Sequence, residues 1–543
     1  MTKIRHILGL LLCLSAFSCV SAGQSIADLA NKAEAAYHRQ HYSESADLYV
    51  QVISKVDELD RSPLEYNAAC SFALAGDKDK AFLWLNRAIQ DGSLDIKHTG
   101  SDSDFASLHA DPRWADAIHQ IEFLSSSEKK HWGAAAFNTP YAPNLTDAQK
   151  VAGLSQLWAE ARYGFANFWH VPDLDWDATY LAYLPQVTAT KSTAGYYRVL
   201  TRFYALLQDG HTGVYDPEAI SPARLPIRTR LIDGHVIVIG LRDPAFDLQG
   251  IHIGDELLAI NGQPVIEYGK QHILPYVSAS SPQDRDTRTY EYQLLLAPPG
   301  TALTLETQNA AGTRSSHRFA IANGTPSHHS SFEFRMLPGN IAYVALNSFE
   351  DNLAAVEFDK NFDAISKADS LILDLRENGG GSDSVGTHIL SMLIDRPVPN
   401  LRSVSPRYIA SYRAWGRLET PMVYPQEMIP PDPKRHFRGR VIVLTSPRTF
   451  SAGEDFVAVF AQAHRGTTLG GPTGGSTGQP LMFKLPGGGL ARVCTKHDSF
   501  ADGKEFVGIG VKPDISAHLS IADIRNHQDS VLALAVRTLQ TDH

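Results

Sequence analysis

From residue 25 to about 120, apolar side chains recur at the three-to-four-residue spacing of helices that bury one face. The segments "AEAAYHRQHYSESADLYVQVI" and "YNAACSFALAGDKDKAFLWLNRAI" align with small residues at matching places. Ala46 falls opposite Ala81, 35 positions on, and Val52 or Ile53 falls opposite Ala88. Small residues where helices cross, with aromatics filling the gaps, predict a repeated helix-turn-helix over 25–123. Residues 124–146 ("LSSSEKKHWGAAAFNTPYAPNLT") are polar and carry Gly and Pro, which predicts a linker. A second helical stretch fills 147–217, with helix-period aromatics in "GYYRVLTRFYALL"; "QDGHTGVYDP" ends its helices, because Gly210, Gly213 and Pro217 enforce a turn. Over 224–322 the pattern changes to short strands ("HVIVIGL", "ELLAING", "ALTLETQ") separated by turn residues. From 330 to 540, apolar strands ("NIAYVAL", "SLILDL", "RVIVLT") alternate with helical stretches, the pattern of an α/β core. The expected fold class is therefore multidomain α+β.

Bulk properties add a few limits. The chain has 543 residues, too many for one compact core, so three or four domains are expected. It is 43% hydrophobic and 20% charged, with a formal net charge of −10. That balance argues against bulk nucleic-acid binding, which needs a basic footprint. At the N-terminus, Lys3 and Arg5 precede the apolar run "ILGLLLCL", and Val20-Ser21-Ala22 supplies small residues for cleavage after Ala22. Residues 1–22 thus read as a secretory signal peptide, too short to span a bilayer, and place the chain in the periplasm or outside the cell. Lipid attachment at Cys19 is the alternative, disfavoured by the bulky Phe17. No later run is long and apolar enough for a transmembrane segment. Cleavage would leave Cys70 and Cys494, far apart in different domains, so no disulfide framework is expected. No metal or other cofactor is expected: there is no His-Glu-x-x-His, and His328 and His329 in "SHHSS" read as a solvated loop.

Four short stretches carry candidate chemistry. In "LILDLRENGGGSDSVG" a buried strand ends at Asp374 and Arg376 and breaks into Asn378-Gly379-Gly380-Gly381. Such glycines let backbone N–H groups approach an oxyanion or a phosphate, or simply make a turn into a helix. The Lys-Ser/Thr ending of a P-loop is missing, which argues against nucleotide binding. In "VIVLTSPRTFSAGEDFVAVFAQA" a buried strand turns into a helix near Ser451. Ser451 and Glu454 have the spacing of a capping box, and a serine at such a turn is also where hydrolases place a nucleophile. "GGPTGGSTG" (470–478) and "GIGVKPDI" (508–515) complete the set.

In this order the four stretches resemble the tail-specific, or C-terminal processing, serine peptidase family, over roughly 147–535. Residues 25–123 resemble tetratricopeptide repeats, whose concave surfaces bind a protein partner. The segment "GIHIGDELLAINGQPV" resembles a PDZ module, which takes an extended peptide onto a sheet edge. That resemblance implies substrate contacts at Gly254 and Asp255. The family resemblance implies a crotonase-like core of ββα units and a protein or peptide substrate. It makes Ser451 of "SAGE" the nucleophile. Gly379, Gly380 and Ala452 would supply the oxyanion N–H groups.

Lysine-dependent members have Gly-Lys where this chain has Gly475-Ser476, so no lysine stands there to take the serine's proton. "LLQDGHTGVY" instead matches the histidine motif of the tricorn-like branch and offers His211 as general base. The acid behind that histidine is expected at Glu505 of "KEFVGIGVKPD". Asp209 is adjacent in sequence to His211, and Ser476 is an alternative hydrogen-bond partner in the site. Two other functions stay open at this point. One is an inactive homologue that binds peptide or an apolar ligand, and the other is an interaction protein working through its helical repeats.

Overall fold

The structure, a computed structural model, describes residues 26–56, 61–92, 94–133, 136–322, 330–418 and 420–541. The expected signal peptide at 1–22, with Cys19, and the His328–His329 pair lie outside them. The chain divides at Ala136/Phe137 into two compact units.

The first unit is helical: Ile26–His38, Tyr42–Ile53, Arg61–Leu74, Lys78–Asp91, Ile96–Ser101 and Pro112–Trp132. Ala33, Ala46, Ala68, Ala81 and Ala88 have no exposed surface and sit in one core with Tyr49, Phe72, Trp84 and Phe105. Alanines at these places let the helices approach closely while the aromatics fill the remaining space. One boundary is corrected. The last helix runs to Trp132, through the residues expected to open a linker at 124. It starts from an Asp111 cap, and its polar stretch "SSSEKK" is a solvated helical face. Lys129, Lys130 and His131 in its last turn suit the negative end of the helix dipole.

The second unit is mixed α and β. Helices Asp147–Gly164, Trp176–Ala189 and Thr193–Ala205 pack around Trp176, Phe203 and Tyr204, with Trp176 stacked on Phe203 at 4.3 Å. Leu485, Ala491 and Val493 of a later hairpin join the same cluster. After the last of these helices, the strand Gly213–Tyr215 pairs antiparallel with Leu490–Cys494. A separate antiparallel sheet follows, built on Ile227–Ile232, His235–Leu241, Glu256–Ile260, Ala302–Gln308 and Arg314–Ala320.

The third part centres on a six-stranded sheet in the order Phe332–Leu337, Ile341–Leu346, Ser370–Asp374, Arg440–Thr445, Thr467–Gly470 and Ile515–Ser516. The first pair is antiparallel and the rest are parallel. Strand alternation divides the side chains between two cores. Val344, Leu371, Leu373, Val441 and Val443 meet helices Leu353–Ile365, Asp383–Ser391 and Ala452–Gln462 on one face. Tyr343, Ile372, Ile442 and Leu444 meet the terminal helix Ser530–Thr541 on the other. Burial on both faces explains why these strands read as unbroken apolar runs. Among the described residues no helix is long and apolar enough to cross a membrane.

Candidate active site

Ser451 stands between the strand Arg440–Thr445 and the helix Ala452–Gln462, with φ 54° and ψ −130°. A positive φ is costly for a residue with a Cβ and persists only where the surroundings impose it. Here Phe450 N–H donates to Asn378 O (2.9 Å), and Ser451 N–H donates to Ser476 O (3.0 Å). Gly380 closes the other side. At φ +95°, it would carry any Cβ 2.6 Å from the Ser451 Cβ, so only glycine fits.

The expected capping box is absent. Ser451 makes no side-chain cap, and the Glu454 carboxylate leaves the helix end altogether. It accepts from Thr473 Oγ1 (2.5 Å), Gly475 N–H (2.7 Å) and Ser476 N–H (2.8 Å). Serine three residues before glutamate is thus a cap spacing put to another use: Glu454 pins the glycine-rich turn 474–478 against the Ser451 helix. Complete burial raises its pKa to about 7, and the three donors oppose that rise.

His211 arrives from the other end of the second unit. Buried Asp209 shapes its turn, accepting from His211 N–H (2.8 Å), Thr212 Oγ1 (3.0 Å) and Asn167 Nδ2 (2.8 Å). Ser280 Oγ accepts from Gly210 N–H (2.9 Å), and Arg492 donates to Gly210 O (2.9 Å). The imidazole, 3% exposed, stacks on Phe450 with ring centroids 4.8 Å apart. Its Nε2 lies 2.9 Å from Ser451 Oγ, and its Nδ1 lies 2.9 Å from Ser476 Oγ. Burial holds the histidine pKa well below its ordinary value, and the nearby Arg492, Arg288 and Lys496 push the same way. The ring is neutral at neutral pH.

The structure therefore brings Ser451, His211 and Ser476 together but does not bring Glu505 to the ring. Glu505 instead meets His497 Nε2 at 2.8 Å, with 43% of its side chain exposed. His497 Nδ1 contacts Asn167 Oδ1 (3.0 Å), and Asn167 leads to Asp209. Glu505 thus reaches only the main chain of His211, through three intervening side chains. Glu505 stands two positions before Val507, and motif spacing does not reveal which ring it meets.

The expected oxyanion donors divide. Gly380 N–H is already given to Asn378 Oδ1 (2.9 Å), so it is not free for a ligand. The N–H groups of Gly379 and Ala452 meet no protein acceptor among the described residues. Gly254 and Asp255 do not form an open binding turn. Arg525 covers Gly254, donating to its carbonyl at 3.0 Å, and buried Asp255 accepts from His252 N–H within its own loop (2.9 Å). Sequence reasoning missed the roles of Glu454, Asn167 and Asn378. The only available signal was Glu454 itself, and it fitted a commoner motif.

Residues 340–517 match peptidase family S41. Among solved structures, mature CPAF is 18% identical over 73% of this chain and 98% of its own, with a TM-score of 0.61. Mature CPAF complexed with lactacystin is 17% identical over 73% of this chain and 99% of its own, at 0.60. The photosystem II D1 C-terminal processing protease is 18% identical over 68% and 92%, at 0.41. At these identities the CPAF likeness shows the fold alone, over 73% of the chain.

Proposed function

We propose that this chain, a serine peptidase carrying a family S41 domain at residues 340–517, is a secreted or periplasmic endopeptidase in which Ser451 is the nucleophile and His211 its base. The supporting observation is the 2.9 Å approach of a neutral imidazole Nε2 to the serine oxygen. With Nδ1–H donating to Ser476 Oγ, the tautomer leaves the Nε2 lone pair facing Ser451. Ser451 Oγ attacks the scissile carbonyl carbon and its proton passes to Nε2. The carbonyl oxygen, now anionic, is held by the N–H groups of Gly379 and Ala452. Collapse breaks the C–N bond as Nε2 returns the proton to the leaving amine. Water, deprotonated by the same nitrogen, then releases the acyl group.

Ser476 takes the place expected for an acid. It orients the ring without adding charge, which suits a base whose surroundings already keep it neutral. The 224–322 sheet is assigned as a PDZ-like module that engages or gates substrate, and the helices of 25–123 as tetratricopeptide-like repeats that recruit a protein partner. The 330–540 part is assigned as the crotonase-like core. Residues 1–22 support export.

A fluorophosphonate probe tests the assignment. Labelling of the intact protein is expected. It should vanish in Ser451→Ala and slow about a thousandfold or more in His211→Ala. Lactacystin, the ligand of the CPAF complex, is expected to block the labelling. Full labelling of a folded Ser451→Ala variant would overturn the nucleophile.

A further inference from the structure

The hydrogen bond between His211 Nδ1 and Ser476 Oγ can run in either direction, because a hydroxyl both donates and accepts. If Ser476 donates, the ring carries its proton on Nε2, and Ser451 faces a donor instead of a base. If Nδ1–H donates, the Ser476 hydroxyl proton needs an acceptor of its own. Ser476 is fully buried, and among the described residues its Oγ bonds only to His211. An acceptor stands close by. Asp284 is 2% exposed, yet its Oδ2 has no hydrogen-bond partner. A Cβ on Gly210, the residue before His211, would lie 2.8 Å from Ser476 Oγ and 2.9 Å from Asp284 Oδ2. The two oxygens thus flank one small space that only glycine leaves open. A buried donor and a buried acceptor, each unmatched, are costly to keep apart.

The backbone around Asp284 is tied to both turns of the site. Asp284 belongs to the short helix Pro282–Thr287, within the 224–322 region. Ser281 Oγ accepts from Asp284 N–H (3.2 Å) and donates to Gly474 O (2.6 Å), which joins the start of this helix to the Ser476 turn. Gln283 Nε2 donates to Thr473 O (2.9 Å). Arg288 Nε donates to Asp284 Oδ1 (2.7 Å), and its Nη2 donates to Gly210 O (3.2 Å). One carboxylate oxygen is therefore held by Arg288, and the other is left for a second donor. The acids described above are already taken. Asp209 and Glu454 each accept three bonds, and Glu505 meets His497.

We propose that Asp284 accepts a hydrogen bond from the Ser476 hydroxyl, directly or across one water, and thereby fixes the tautomer of His211. With its proton committed there, Ser476 Oγ can only accept from Nδ1–H, and the Nε2 lone pair is turned to Ser451. Asp284 is a positioning residue: it touches neither substrate nor the reacting atoms, and no proton is transferred to it. It takes the part expected of Glu505, but stands one side chain further from the ring. The relay rests on the peptidase assignment above for its purpose, and adds the group that sets the base. Arg288 keeps the pair neutral overall, so the imidazole gains orientation without a net negative neighbour. Burial pushes the Asp284 carboxyl above its ordinary range, and Arg288 opposes that rise.

Nitrogen NMR of the full chain, labelled with ¹⁵N at its histidine rings, distinguishes a ring nitrogen that carries a proton from one that does not. The signals lost in His211→Ala identify the ring. In the unaltered protein Nδ1 is expected to be protonated and Nε2 bare; the opposite tautomer would overturn the relay without any further variant. Asp284→Asn, close in shape and still able to accept from Arg288, should lose that preference and slow fluorophosphonate labelling about tenfold. Asp284→Glu, which keeps a carboxylate, should retain the tautomer. In a Ser476→Ala background, Asp284→Asn should slow labelling by less than about twofold more, because the relay is already cut. Equal slowing in both backgrounds would make Asp284 merely structural. An unchanged tautomer and labelling rate in Asp284→Asn would overturn the relay and leave the peptidase assignment standing. A tautomer that follows Asp284 in protein that never labels would do the reverse.

Discussion

Ser476 uses three groups at once: its N–H on Glu454, its C=O on the Ser451 N–H, and its Oγ on His211. Removing only the hydroxyl separates orientation from scaffolding. Ser476→Ala should lower kcat by about 10- to 100-fold with KM little changed, because a buried Nδ1–H without a partner costs about 1–3 kcal/mol. Removing the scaffold is different. Glu454→Ala strands two buried backbone N–H groups and should cost about 2–5 kcal/mol in chemical denaturation. The pH profile reports the base itself. His211 must be neutral to accept a proton, and its pKa lies below the usual 6.5. kcat/KM should therefore rise with pH through that depressed value and already be at its plateau by pH 6.5. An acid limb centred near 6.5 or above would contradict the buried, cation-flanked imidazole. Ser451, His211 and even Ser476 were legible as chemistry. Glu454 was misread because a capping spacing does not disclose that Ser451 adopts a positive φ.

At the scale of elements, the site is two strand-to-helix turns pressed together, one through 378–381 and the other through 446–451. Gly380 is their point of contact. Gly380→Ala should cost about 1–2 kcal/mol of backbone strain and displace Ser451, so labelling should fall at least as far as stability does. Retained labelling with an unchanged melting temperature would contradict the close approach. The strands were readable because each is buried on both faces and so is uniformly apolar. The 124–132 segment was not, since a solvated helix and a polar linker share a composition. The turns were hardest: the donors that Glu454 accepts come from a glycine-rich turn some twenty residues on, which no local spacing announces.

Across the whole molecule, every residue assigned to the site falls within the Phe137–His543 unit. That unit made alone should label as fast as the full chain, within about twofold, and cleave short peptides equally well. Loss of labelling on truncation would give the first unit a part in catalysis itself. The sequence order of helical, strand-rich and α/β regions was readable from periodicity. The site was readable only through motif resemblance, because no local pattern joins residues separated by 240 or 265 positions. That separation also has a consequence in time. At roughly 5–20 residues per second, about 10–50 s of synthesis elapse between His211 and Ser451 leaving the ribosome. On the proposed assignment, the nascent chain holds its base without its nucleophile during that interval. A chain released before residue 451 would, on that assignment, carry no peptidase activity.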